Sequence, residues 1–507
     1  MITPPLRFSA SVGLKILPFM ISPYDLGCKL PPSVSLCYNA CNFQIVWITI
    51  MPVNDFITHP LTWHPSPERL FRPKYASLAA LLEKDIEDGT LPPGTRLPPQ
   101  RLLADYLDVN FTTVTRAYDI CRERSLVYGV TGRGTFVAAH PGADDAISRR
   151  IIDLGAVQAF PTVGANLIIE AARDILSRDY TSRLFSYSER DGAARHRAAG
   201  AFWLNRFNVS ATPDQIAVFP GVQNALSTIL ASFFRTGDAL AVDTFTYSNL
   251  IGAANLLRIR LVPIENDRHG MLDDALELAA RKHPLRGVFI MPNCANPTMT
   301  TIPQARKKAL AKVIDRNNLI VIEDDAALTS LHGVSFSSLL PESTFYLTGN
   351  TRFISPGLRV AFVAYPLRFK EKFLTALHKF TIKSSALDAE IMSELILSRR
   401  ADEILSLKLR RAAEMNRIFD RIFPKLARNT GEIHFFRTVP LPHSHLSGQE
   451  IEESLLKKNV RVCHSYRFSA KRNPSESFLR ISLSSTDSKT ALQKALQTVK
   501  RHSSLST

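Results

Sequence analysis

The stretch from Leu91 to Val137, LPPGTRLPPQRLLADYLDVNFTTVTRAYDICRERSLVYGVTGRGTFV, decides how the first part of the chain folds. Pro92, Pro93, Gly94, Pro98 and Pro99 force a turn and prepare a helix, because proline suits first-turn positions. That helix, over residues 99–107, carries Leu102, Leu103 and Leu107 inward and Gln100 and Arg101 outward. Asp108–Asn110 makes a short turn into a second helix, where Val114, Ala117, Tyr118 and Cys121 share one face and Thr112, Thr113, Thr115, Arg116 and Arg122 the other. Upstream, Leu78, Leu81, Leu82 and Ile86 recur at helical spacing until Gly89. Downstream, Gly132-Arg133-Gly134-Thr135 between two short apolar runs predicts a hairpin with an arginine at its tip. Hydroxyls and arginines at the start of the second helix, followed by such a wing, predict a DNA reader: helix in the major groove, wing on phosphates or the minor groove. A helical bundle with a charged face accounts for each element singly but not for their order.

Composition agrees with two or more folded domains. The chain has 507 residues, 45% apolar and 21% charged, and 62 Lys+Arg against 46 Asp+Glu give a formal charge of +16, an attractive field for polyanions. Cys28, Cys37, Cys41, Cys121, Cys294 and Cys463 show no CxxC spacing, which argues against a zinc site or a disulfide framework and for a reducing cytoplasm. Over residues 1–50, Pro4, Pro5, Pro18, Pro23, Pro31 and Pro32 interrupt every apolar run before it could span a bilayer, and no secretory cleavage site follows. Residues 1–67 therefore read as a disordered extension, with Met51 an alternative start.

After a polar connector at 140–152, apolar runs recur at 216–220, 239–243, 287–291, 319–323, 344–348 and 360–364, separated by helical patterns. Alternating strands and helices predict an α/β domain with a mostly parallel sheet, whose ligands bind at the carboxyl ends of the strands. Candidate chemistry follows these runs. Gly221-Val222-Gln223 opens a helix and suits a phosphate, and Tyr247 could cover an aromatic ring. Asn293, Asn296 and Pro297 form a polar turn, Glu323-Asp324-Asp325 could pair with a protonated ring nitrogen, and Arg359 could bind phosphate bidentately. Each alone has a structural explanation: turn geometry, core packing or a helix cap.

Two resemblances bind these observations together. Residues 68–139 resemble the winged helix-turn-helix of the GntR family, and Arg101, Thr112, Thr113, Arg116 and Arg133 fall where that family touches operator DNA. Asn110-Phe111 stands where many members have Ser-Arg, and Ser125 where they have Gly. From Asp153 to Leu483 the order and spacing resemble the fold type I aminotransferases dependent on pyridoxal phosphate. This implies a mostly parallel seven-stranded sheet over 153–375, a C-terminal α+β small domain over 376–500, and a homodimer. By position, Gly221, Val222 and Gln223 match the phosphate turn, Tyr247 the stacking aromatic and Asn296 the partner of the pyridine hydroxyl. Asp324 matches the partner of the pyridine nitrogen, Arg359 the phosphate arginine and Arg480 the arginine that grips a substrate carboxylate. Tyr187, Gly192 and Arg197 match the stretch that opens these domains. A GntR reader joined to this domain resembles the MocR subfamily of bacterial regulators.

The departures carry as much information. Arg352 stands where the family has the lysine that links covalently to the cofactor, Gly349 replaces a phosphate-binding Ser, Met299 a Gly and Ala326 a Tyr. Guanidinium stays protonated, with a pKa above roughly 12, and offers no free amine as nucleophile or base. The sequence thus implies a cytoplasmic, nucleoid-associated transcription regulator with no catalytic residue and no metal, whose degenerate domain dimerises and binds a small effector. Pyridoxal phosphate, held without a covalent link and with Arg352 beside it, is the expected cofactor. An aminotransferase with a DNA-binding head, and a regulator whose domain binds no cofactor, stay open as alternatives.

Overall fold

The computed structural model describes residues 61–130, 132–138, 151–187, 189–325, 333–348, 351–427, 433–442, 445–471, 474 and 476–504, at 351 and 352 through the backbone. Residues up to 60 of the expected extension, and 140–150 of the expected linker, lie outside them, as do Gly349 and Ala326. The chain divides into two compact units, one built from 61–82 and 95–136, the other from 83–94 and 137 onward.

In the first unit, α1 (Lys74–Glu87), α2 (Gln100–Leu107) and α3 (Phe111–Glu123) precede the hairpin β1 (Val127–Val130) and β2 (Gly134–Val137). Leu78, Leu82, Leu103, Leu107, Val114, Ala117, Tyr118 and Cys121 are buried, while Leu81 and Leu102 are only half-buried. The Tyr118 hydroxyl donates to the Pro98 carbonyl at 3.0 Å, giving the buried phenol a partner. Asp108, left-handed at φ 49°, ends α2, and the Asn110 side chain caps α3 by accepting from the Thr112 amide at 2.9 Å. Residues 61–67 differ from the expected extension: Leu61 and Trp63 are buried, and the Thr62 hydroxyl donates to the Arg96 carbonyl. A short apolar pair flanked by polar residues has no period, so the sequence gives no sign of this anchoring.

The second unit begins with β3 (Ile152–Asp153), α4 (Ala165–Leu176) and α5 (Ala194–Asn205). Its centre alternates β4 (Ile216–Phe219), α6 (Val222–Phe233), β5 (Ala239–Asp243), α7 (Ser248–Leu256), β6 (Arg260–Ile264), the hairpin β7 (Asn266–Asp267) and β8 (Gly270–Met271), α8 (Asp273–Lys282), β9 (Leu285–Ile290), α9 (Gln304–Arg316) and β10 (Ile320–Asp325). Then follow α10 (Phe336–Leu339), β11 (Thr344–Thr348), α11 (Thr351–Ile354), β12 (Ala361–Ala364), α12 (Lys370–Thr381) and α13 (Ala386–Leu397). The seven-stranded sheet runs β4-β12-β11-β10-β9-β5-β6. β12 alone runs against the direction of the other six strands, so the carboxyl ends of β4, β5, β6, β9, β10 and β11 share one edge with the amino end of β12.

Alternate residues of one strand feed opposite cores. Ile320 and Ile322 of β10 pack with Phe345, Leu347, Phe373 and Leu377, whereas Val321 packs with Val288, Leu310 and Ile314 of the other face. Both faces are covered, which is why β4, β5, β10, β11 and β12 are buried along their whole length and are mostly apolar without alternation, the acidic end of β10 apart.

The C-terminal part holds α14 (Arg400–Ile422), β13 (Phe436–Pro440), α15 (Gly448–Leu456), β14 (Val460–Arg461), β15 (Cys463–His464), β16 (Phe478–Ser482) and α16 (Lys489–Ser504). Its antiparallel sheet runs β13-β16-β15, and β14 pairs in parallel with β3, tying the start of this unit to its end. No helix among the described residues is long and apolar enough to cross a membrane.

Candidate functional site

The residues expected around a cofactor follow the sheet edge just described. Gly221 leaves β4 and precedes α6, Tyr247 precedes α7 after β5, Asn296 follows β9, Asp324 lies near the end of β10, and Arg359 stands before β12. Arg352 lies in α11 after β11, and its side chain is outside the described residues.

Gly221 and Arg359 meet directly. Gly221 sits at φ +89°, and a Cβ there would stand 2.5 Å from Arg359 Nη2 and 2.9 Å from its Cζ, so only glycine lets the guanidinium lie across the start of α6. Arg359 is itself held at φ 51°, a conformation side chains seldom adopt, and remains exposed. Behind it, the first N–H groups of α6 have no partners within the helix, and the helix dipole adds positive potential. The Gln223 Oε1 atom is buried there without a hydrogen bond. A cationic fork, a helix N-terminus and a cradle that a single methyl would fill form a fitting receptor for a phosphate.

Asn296 and Arg480 also come together, from positions 184 residues apart: Arg480 Nη1 donates to Asn296 Oδ1 at 3.1 Å. Arg480 is 7% exposed, donates through Nη2 to the Gly155 carbonyl and lies 4.9 Å from the centroid of the Phe468 ring. These partners fix the guanidinium plane. Tyr247 is half-buried against the core beneath α6, with its hydroxyl accepting from Asn249 Nδ2 at 3.1 Å. Tyr187, by contrast, is 83% exposed, whereas Arg197 is engaged with Glu189, Asp191 and the Gly192 carbonyl.

Asp324 is 2% exposed, and its neighbours on β10 join a network with Lys307 and Tyr346, two residues with no signal in the sequence. Lys307 of α9 is fully buried and donates to Asn293 Oδ1 at 2.9 Å, while Asn293 Nδ2 donates to Asp325 at 3.3 Å. The Tyr346 hydroxyl donates to Asp325 at 2.5 Å, and Glu323 accepts the amides of Phe336 and Ser337. Burial, and then the charge of Asp325, push Glu323 up to about 7, and burial pushes Asp325 up to about 6. Burial lowers Lys307. Next to this edge, a cavity of about 500 Å³ opens beside Asp243, Asn266 and Thr298. Asp243 accepts from Asn266 Nδ2 at 2.8 Å, and burial raises it to about 7. Among the described residues no group of His, Cys, Asp and Glu is placed to hold a metal ion.

In the first unit Arg101, Thr112, Arg116 and Arg133 are exposed and Thr113 is half-buried. The Thr112 hydroxyl donates to Asn110 Oδ1 at 2.8 Å, and Arg116 lies 4.3 Å from the centroid of the Tyr75 ring. Ser125 and Met299, both standing where the resembled families have glycine, adopt φ 58° and 60°, which explains why glycine suits those positions.

The profile of aminotransferase class I and II matches residues 151–499, and that of the bacterial regulatory proteins of the gntR family matches residues 74–137. The chain is 30% identical over 458 residues to the HTH-type transcriptional regulator YdeF of Bacillus subtilis, covering 89% of this chain and 99% of YdeF. It is 25% identical over 347 residues to the "Probable rhizopine catabolism regulatory protein MocR" of Rhizobium meliloti, covering 59% of this chain and 67% of that one. Its fold is shared by LysN, the alpha-aminoadipate aminotransferase of Thermus thermophilus, whose crystal structure is complexed with N-(5'-phosphopyridoxyl)-L-leucine: TM-score 0.63 at 23% identity, over 70% of this chain and 93% of LysN. The chain therefore belongs to the aminotransferase class I and II family, among the MocR-like HTH-type transcriptional regulators that join this domain to a GntR-type DNA-binding head.

Proposed function

We propose that this DNA-binding regulator works as a homodimer whose aminotransferase-like domain holds pyridoxal phosphate, or an effector of the same chemistry, reversibly and without turnover. The observation that carries the proposal is the Arg359 guanidinium lying across Gly221 at the start of α6, an arrangement suited to an anion such as a phosphate. Arg359 and the Gly221-Val222-Gln223 turn would hold the phosphate, Tyr247 would cover the ring, and Asp324 and Asn296 would meet the ring nitrogen and hydroxyl. Arg480 would receive the carboxylate of an effector. When bound, the group supplies an aldehyde and an electron-withdrawing ring. Arg352, at the family's lysine position, has no neutral amine to attack that aldehyde, so association stays non-covalent, and its charge can strengthen a bond to phosphate or aldehyde oxygen.

Regulation follows if the occupied pocket favours one arrangement of the two DNA-reading heads, which requires different affinities for the two arrangements. A dimer matches a repeated half-site, and DNA binding implies work in the bacterial cytoplasm, at the nucleoid. The test is a titration of the full-length protein with pyridoxal phosphate, by absorbance and equilibrium dialysis, followed by DNA affinity at fixed salt with and without it. Saturable binding that shifts DNA affinity supports the proposal. No binding favours a domain used only for dimerisation, and amino-group transfer from any amino acid favours an enzyme.

A further inference from the structure

In the DNA-reading unit most polar groups at the start of α3 are already engaged. The Thr112 hydroxyl donates to Asn110, the Thr115 hydroxyl donates to Gln100 Oε1 at 2.9 Å, and Arg116 rests on Tyr75. What this helix end does present is a ring: Phe111, its first residue, is 42% exposed. Arg101 lies with its Cζ 5.8 Å from the centroid of that ring. The ring lines a surface cavity of about 320 Å³ together with Arg96, Pro99, Gln100, Arg101 and Gly134. Gly134, in the hairpin, carries no side chain, and a Cβ there would stand 3.1 Å from Arg96 Nε, so the hairpin leaves room for that guanidinium at the rim of the same cavity. An apolar ring set among cations is poorly placed for a protein partner's apolar surface and well placed for a polyanion.

We infer that Phe111 is a specificity-determining residue that reads the 5-methyl group of a thymine in the major groove. Thymine alone among the bases offers an apolar group there. A phenyl ring has no donor or acceptor, so against guanine, adenine or cytosine it would strip water from polar base edges without replacing it. Against thymine it buries a methyl instead. The flanking arginines then serve the phosphates, which position the helix without reading sequence. The inference rests on the DNA-reading role of this unit and adds to it the base that α3 prefers.

The experiment uses the full-length protein. A duplex is selected from a random library, and each dT is then replaced singly by dU, which deletes only the methyl group. Affinity is measured at constant salt for the wild type, Phe111→Ala and Phe111→Leu. One dU position in each half-site should weaken the wild type about fourfold, the burial of one methyl-sized group, and leave Phe111→Ala unaffected. Phe111→Leu, still apolar, should keep part of the effect. Equal dU effects in the wild type and Phe111→Ala, or a selected site with no sensitive thymine, would overturn the inference. Loss of selective binding altogether would instead count against sequence recognition by the reader unit, and with it this inference.

Discussion

In the reader unit Arg101, Arg116 and Arg133 stand exposed, two of them over aromatic rings, whereas at the sheet edge of the second unit Lys307, Glu323, Asp324, Asp325 and Arg480 are all buried. The difference is one of task. Exposed cations meet a polyanion through long-ranged attraction that salt screens, and they need little preorganisation. Buried charges are held in place by their neighbours, at the expense of tolerance to mutation. Substitutions in the first region should therefore change binding and its salt dependence, and in the second they should first change folding.

The sharpest way to break this contrast is Lys307→Met. It leaves Asp325 and Glu323 without the ammonium that faces them and should destabilise the second unit by about 3–5 kcal/mol in urea unfolding. A loss below about 1 kcal/mol would mean that the buried network does not organise the edge.

Asp243 tests the same region through pH. Its folded value of about 7 lies above its ordinary 3.8, so the folded state keeps a proton that the unfolded state releases between those values. Its contribution is therefore intact below about pH 4 and is lost as pH rises through 7. Asp243→Asn should flatten the fall in unfolding free energy from urea titrations between pH 5 and 8, a difference of about 2–4 kcal/mol. An unchanged slope would place the titration elsewhere.

Gly221→Ala attacks the pocket with less effect on folding. The added methyl would collide with Arg359, and dialysis should show pyridoxal phosphate binding weaker on the order of 100-fold, with DNA affinity in its absence unchanged. The smallest effect is expected in the reader unit. Arg101→Ala should weaken DNA binding about tenfold and lower the slope of affinity against salt by about one, without moving the unfolding curve. A shift in stability with no change in slope would show that Arg101 braces Phe111 rather than contacting phosphate.

How much of this was legible depends on the range of the interactions. Leu103, Val114, Ala117 and Tyr118 declare the reader through helical spacing alone, because their partners lie within one short segment. The strand runs at 239–243 and 344–348 are equally plain, since a sheet covered on both faces leaves no alternating solvent-facing charges along its strands. β6 is harder to see: Pro263 lies inside it, and proline speaks against a strand except at an edge, which is where β6 runs. The site divides in the same way. Gly221 and Arg359 are visible through family spacing, but their contact is not, nor is the bond from Arg480 to a carbonyl 325 residues away. Lys307 reads as one more solvated charge on an amphipathic helix. Only the fold reveals that it is buried on Asn293, within the electrostatic reach of two carboxylates.

The central claim, binding without a covalent link, is tested most directly by saturating the protein with pyridoxal phosphate, reducing with borohydride and mapping the adduct by peptide mass spectrometry. The account predicts that ligand bound at equilibrium is removed by dialysis after reduction and that no pocket residue gains mass. A reduced adduct on a lysine of the pocket would contradict it.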